Sequence, residues 1–279
     1  MTTTLPAPGR HAVTAPAPIP VVSNHIPLKQ TLANTMTMAY RGILKIKHNP
    51  EQLFDVTVQP ILFTALFAFI FGGQIGGSVA AYLPILIPGI LVQTVVLTSV
   101  ATGVQLREDM DKGVFDRFKS LPIARISALS GALVADMVRY GLATTLTVIV
   151  GIALGYRPDG GVLGVVAAGL VTVFCSFAVS WVWALVGVTG KSASAVQGIS
   201  MMIMFPLTFM SGAFVLVDTM PGWLQGINKV NPIYYMVNAA RELMNGTGAT
   251  ANVAWSLLGS IVVIAIFAPL TVRAYMRRA

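Results

Sequence analysis

The sequence predicts an all-α protein built into a membrane, with six spanning helices. Three observations predict it. The 279 residues are 55% hydrophobic and only 10% charged, whereas a soluble domain carries about 25% charged residues. A helical span needs about 20 apolar residues, and such runs recur at 53–71, 82–106, 126–156, 162–188, 195–216 and 254–275. The 18 Lys and Arg residues are also sorted: with the N-terminus placed inside, 14 fall inside, 3 outside, and Arg139 within span three. By the positive-inside rule both termini are then cytoplasmic. The net charge of +8 thus reflects membrane topology, and no nucleic-acid partner is expected.

Residues 1–27 are rich in Thr, Ala and Pro. Such a segment cannot bury a core and is expected to be a disordered cytoplasmic tail, leaving 28–279 as one six-span domain. In the stretch 28–48, Leu32, Met36, Ile43, Leu44 and Ile46 interleave with basic residues. This reads as an amphipathic helix on the inner membrane surface, or more simply as a basic flank. Asn49-Pro50 ends it.

The first span closes in Gly72-Gly73-Gln74-Ile75-Gly76-Gly77. The pairs Gly72/Gly76 and Gly73/Gly77, like Gly151/Gly155 in span three, permit close helix packing. The first two serve equally as a flexible exit loop. Span two carries Pro84 and Pro88, tolerated where neighbours satisfy the freed carbonyls.

The loop after span two is the densest charge cluster in the chain. From Arg107 to Lys119 there are eight charged residues, four of each sign. Met110, Val114, Phe115, Phe118 and Leu121 recur at helical spacing, and Pro122 disfavours helix at the residue before it. A short helix is expected, with an apolar stripe and a balanced charged remainder. A topology signal needs only basic residues; balanced charge with two phenylalanines fits a protein docking surface. The plainer reading is a helix that only closes a hairpin.

In span three, Asp136 and Arg139 lie three residues apart and can pair on one helix face. An isolated charge at mid-bilayer costs roughly 2.5–3.5 kcal/mol. A structural pair near the inner boundary and a role in a transport path both stay open. Cys175 in span four reads as a small core residue. The methionines at 201, 202, 204 and 210 in span five could line a path for apolar cargo or simply pack. Residues 218–250 are too short and polar to span. Pro221, Trp223, Asn231, Pro232, Tyr234 and Tyr235 there predict short re-entrant helices at the outer interface, with Trp223, Tyr234 and Tyr235 in the aromatic belt.

Enzymatic chemistry is not visible. The fragment Gly190-Lys191-Ser192 ends like a phosphate loop, but the required earlier glycine position holds Leu185. His11, His25 and His48 show no metal spacing, and no nucleophile has a nearby base. No cofactor is expected in this chain.

Six spans, an N-terminal surface helix, and a cytoplasmic segment with Glu108, Gly113 and Pro122 resemble the permease subunit of type-2 ABC exporters. The stretch Pro221, Trp223, Leu224, Asn231, Pro232, Arg241 is similar to that family's segment before its last span. Within the family the chain looks most like the daunorubicin-resistance permease branch. The resemblance implies a multi-pass protein of the bacterial cytoplasmic membrane. It implies a homodimer of permeases with two separate ATPase subunits, which bind the ATP. The segment from Arg107 to Lys119 would then be a coupling helix seated in the ATPase, with Glu108, Met110, Gly113, Val114, Phe115 and Phe118 at the contact. The cargo implied is an antibiotic or another hydrophobic or amphipathic compound such as a lipid. A secondary transporter or channel without an ATPase is the competing class. Only Asp136 and Arg139 could serve it, and no inverted repeat is evident.

Overall fold

The structure, a computed structural model, describes residues 28–48, 50–114 and 125–278. Among the described residues every regular element is a helix. In chain order these are α1 (Leu28–His48), α2 (Pro50–Gly76), α3 (Val79–Asp111), α4 (Arg125–Ala153), α5 (Gly161–Thr189) and α6 (Ala193–Met210). A 3₁₀ turn (Val217–Thr219) follows, then α7 (Gly222–Asn228), α8 (Pro232–Met244) and α9 (Ala251–Arg278). Six of them, α2, α3, α4, α5, α6 and α9, are long and apolar enough to cross a membrane. The tail at 1–27 lies outside the described residues.

Helix ends depart from the expected spans for identifiable reasons. Span two continues past Leu106 to Asp111 because no breaker intervenes; Gly113, at φ +65°, ends it. Span three stops at Ala153, before Gly155 at φ +101°. Span five stops at Met210, before Gly212 at φ +81°. Only glycine enters that left-handed region freely.

The hydrophobic core is organised around α3. In its most apolar stretch 72% of residues are buried, against 17–39% in the other spans. It packs on α2, α4, α5, α6 and α8. It approaches α5 closely at Gly103 and Gly187. A Cβ on Gly103 would stand 2.3 Å from the Trp183 carbonyl oxygen, and one on Gly187 would stand 2.3 Å from that of Gly103. The two backbones therefore touch, as small residues allow between membrane helices.

The glycines at the end of α2 divide in the same terms. A Cβ on Gly72 or Gly76 would stand 2.9 or 2.8 Å from Val79 or Tyr82 at the start of α3, whereas one on Gly73 or Gly77 would meet nothing within 4 Å. The first pair is packing and the second belongs to the turn. In α4, a Cβ on Gly151 would stand 2.9 Å from the Ile87 side chain.

Helix α1 lies along α4. Thr35 hydrogen-bonds Ser130 (3.0 Å), and Ser127 donates to the Thr31 carbonyl (3.3 Å). Leu32, Met36, Tyr40 and Leu44, four apart along α1, stay exposed.

Candidate functional site

A buried ion pair on α4 is tied to α3. Arg139 donates from Nη2 to Asp136 Oδ1 at 2.9 Å, with both side chains almost wholly buried. Thr102, on α3, donates its hydroxyl proton to the other carboxylate oxygen of Asp136. Having one proton to give, Thr102 then accepts from the Tyr140 hydroxyl, 3.1 Å away. Arg139 also reaches the Thr98 carbonyl at 3.3 Å. The expected pair is therefore made, but it is one part of a larger polar network.

Sequence reasoning missed Thr98, Thr102 and Tyr140 in this role. A signal existed: Thr94, Thr98 and Thr102 recur every fourth residue in an apolar run, placing them on one face of α3. A net-neutral pair avoids most of the cost of burying either charge alone, although Arg139 Nε is left without a hydrogen-bond partner. The cluster also contributes cross-helix bonds where hydrophobic burial discriminates poorly between helix and lipid.

The second predicted site is the charged end of α3. Arg107, Glu108, Asp109 and Asp111 form its last turns rather than a separate helix. Arg107 pairs with Asp111, and Lys112 reaches Glu108 at 3.2 Å. Arg107 Nη1 also donates to the Gly190 carbonyl at 3.0 Å, tying this end to the α5–α6 connection. In that connection Gly190 caps α5, and Ser192 Oγ accepts from the Ala195 amide at 3.2 Å. Met110 packs against a cluster that includes Leu106, Leu129, Leu133 and Tyr275, so it faces the bundle and not a free surface. Gly113 makes the turn and Val114 is half-buried. Phe115, Phe118 and Pro122 lie outside the described residues, so the stripe and the contact expected there are not visible.

The third site is the segment after α6. Pro221 precedes α7, where Trp223 is exposed. Asn231 caps α8: its Oδ1 accepts from the Ile233 amide (3.0 Å), and its Nδ2 donates to the Leu207 carbonyl (2.8 Å). Pro232 opens the helix, where its missing amide costs nothing. Tyr234 stacks edge-on against Tyr235. Helix α8 is packed into the bundle. It packs on α3, α5 and α9, burying Ile233, Met236, Val237 and Ala240.

This segment supplies partners that α3 lacks at its prolines. Pro88 has no amide to offer the Pro84 carbonyl; Asn245 Nδ2 donates to it at 3.0 Å. Asn245 Oδ1 accepts from the Tyr156 hydroxyl at 2.8 Å. Burial pushes the Tyr156 hydroxyl's pKa up, and Asp159 adds to this, so it remains a donor. Arg241 Nη2 donates to the carbonyls of Ile85 (3.1 Å) and Gly212 (2.9 Å). Burial lowers its pKa to about 10, which leaves it charged at neutral pH. Among the described residues no group of His, Cys, Asp and Glu could hold a metal ion. Cys175 is buried, with its thiol 3.6 Å from the Ser256 carbonyl.

Comparison with known proteins bears on the whole arrangement. The ABC-2 type transporter family model matches residues 33–245. The daunorubicin resistance ABC transporter permease protein DrrB1 of Streptomyces coeruleorubidus is 43% identical over 244 residues, covering 88% of this chain and 86% of its own. The probable doxorubicin resistance ABC transporter permease protein DrrC of Mycobacterium tuberculosis is 24% identical over 143 residues, 51% of either chain. The family match takes in α3 with its charged end, the buried pair and the clamp formed by α8, and on this ground the chain belongs to the ABC-2 type transporter family.

Proposed function

We propose that this chain is the membrane permease subunit of an ATP-driven exporter that moves a hydrophobic or amphipathic drug out across the cytoplasmic membrane of a bacterium. The observation that carries this reading is the similarity, over most of both chains, to a relative named for daunorubicin resistance. ATP would be bound and hydrolysed by a separate ATPase subunit. That subunit would dock where α3 emerges, at Glu108, Gly113 and Val114 and the neighbouring Phe115 and Phe118.

The charged end of α3 supports that placement. A helix of 33 residues rises about 50 Å, more than the roughly 30 Å of bilayer hydrocarbon, so Arg107–Asp111 can stand in water while the same helix lines the core. Six crossings return the chain to its starting side, and the 14-to-3 basic bias makes that side cytoplasmic. The exposed apolar stripe of α1 would lie in the inner interface. A homodimer with two ATPases completes the assembly.

The test is export of daunorubicin and a panel of unrelated hydrophobic drugs from cells expressing the chain with and without a partner ABC ATPase. Export is expected only with both. Export by the chain alone, insensitive to ATP depletion and driven by an ion gradient, would favour a secondary transporter instead.

A further inference from the structure

Between α6 and α9, over a floor formed by α5, lies a cavity of about 590 Å³. That falls within the roughly 300–1,000 Å³ typical of small-molecule sites. Its walls are apolar: Val179 and Val182 from α5, Ile203 and Leu207 from α6, Leu258 and Val263 from α9. The few hydroxyls among the lining residues have spent their protons within the protein. Ser256 donates to the Val253 carbonyl, Ser260 to that of Ser256, and Tyr235 to that of Lys229.

Charge enters at one point. Lys229, between α7 and α8, is the sole charged residue among those lining the cavity. It is exposed, and among the described residues no carboxylate is recorded within ion-pair distance of its ammonium. The rim beside it is apolar and open, with Val230 and Trp255 well exposed. From Trp255 to Val263 the lining of α9 runs eight residues down the helix, about 12 Å. The cavity therefore offers a long apolar slot with a single cation at its mouth, opening where the bilayer would be.

We propose that this cavity seats an acyl chain of an anionic phospholipid from the leaflet facing α7 and α8, with the lipid phosphate at Lys229. The slot recognises the hydrocarbon by burial along its length. The ammonium selects against a zwitterionic lipid, whose own cation offsets its phosphate, and against a cationic drug. The site is separate from the charged end of α3 and needs no ATPase to fill.

Gly259 provides an internal block. It lines the cavity, and a Cβ there would meet nothing within 4 Å. Gly259→Leu places an apolar side chain in the slot, its Cβ clear of every neighbour.

The experiment places the full chain in phosphatidylcholine vesicles doped with an equal small fraction of brominated phosphatidylglycerol or brominated phosphatidylcholine. Tryptophan quenching is read, with Trp255→Phe subtracted to isolate the residue at the mouth. The brominated phosphatidylglycerol is expected to quench Trp255 at least twofold more than the phosphatidylcholine. Lys229→Glu and Lys229→Gln should abolish that excess, and Gly259→Leu should reduce it severalfold. Equal quenching by both lipids in the wild-type chain overturns the proposal. So does an excess that survives Lys229→Glu, displacement of the lipid by a cationic drug, or a cavity closed to both lipids by a second copy of the chain.

Discussion

Asn245 donates to the carbonyl of Pro84 across 161 positions of sequence, at 3.0 Å. The bond fills a gap that Pro88 opens in α3, and it ties the segment before the last span to the central helix. Asn245→Leu should leave that carbonyl and the Tyr156 hydroxyl unpaired, lowering stability by about 1–3 kcal/mol. Pro88→Ala restores an amide that can bond the Pro84 carbonyl within the helix. The Asn245→Leu penalty should therefore be smaller in a Pro88→Ala background, measured by thermal unfolding in detergent. An equal penalty in both backgrounds would separate Asn245 from the proline.

The Asp136–Arg139 pair gives a second test. Asp136→Ala leaves a buried guanidinium unpaired, and Arg139→Ala leaves a buried carboxylate. Each should cost about 3–5 kcal/mol and deplete folded protein in the membrane. The double substitution should recover part of the loss. Thr102→Val, which removes one neutral donor, should cost less, about 1–3 kcal/mol. Normal amounts of folded protein in both single variants, with export lost, would place the pair in the transport path.

Topology is tested by labelling in intact cells. In a Cys175→Ala background, Ile75→Cys and Gly226→Cys should react with an impermeant thiol reagent, and Lys112→Cys should not. All three positions are at least partly exposed, so access depends on the side of the membrane. The reverse pattern would invert the orientation.

Docking of the ATPase is tested at the phenylalanines that follow α3. Phe115→Ala with Phe118→Ala should leave insertion intact, because both lie in the loop between spans. It should weaken ATPase binding by at least about 2 kcal/mol and abolish export. The measurement is the amount of ATPase retained by the purified permease. Retention equal to wild type would reduce the loop to a hairpin closure.

Much of the fold was legible because long apolar runs have few alternatives in lipid, where backbone groups must be satisfied internally. The Asp136–Arg139 pair was legible because three-residue spacing is a local property of a helix. Thr102 and Tyr140 were not, since their meeting depends on how α3 crosses α4. Arg241 and Asn245 were harder still. Nothing local distinguishes them from surface residues, yet their partners are carbonyls 156 and 161 positions away. The helix expected from Arg107 is described only in its first half, where it continues α3 to Asp111 before Gly113 supplies a positive φ; its second half lies outside the described residues.

The contact of Gly103 with Gly187 has a mechanical consequence. Gly103 stands 8 residues from Asp111 and 24 from Val79, about 12 and 36 Å along the helix axis. Gly89, 14 residues along, is a second such contact: a Cβ there would stand 1.8 Å from the Ala213 carbonyl oxygen. Held at both points, α3 passes a push at Asp111 to α5 first, over the short arm. Bulk added at Gly103 should part α3 from α5 and cut that transmission, even where every charged contact at the end of α3 survives.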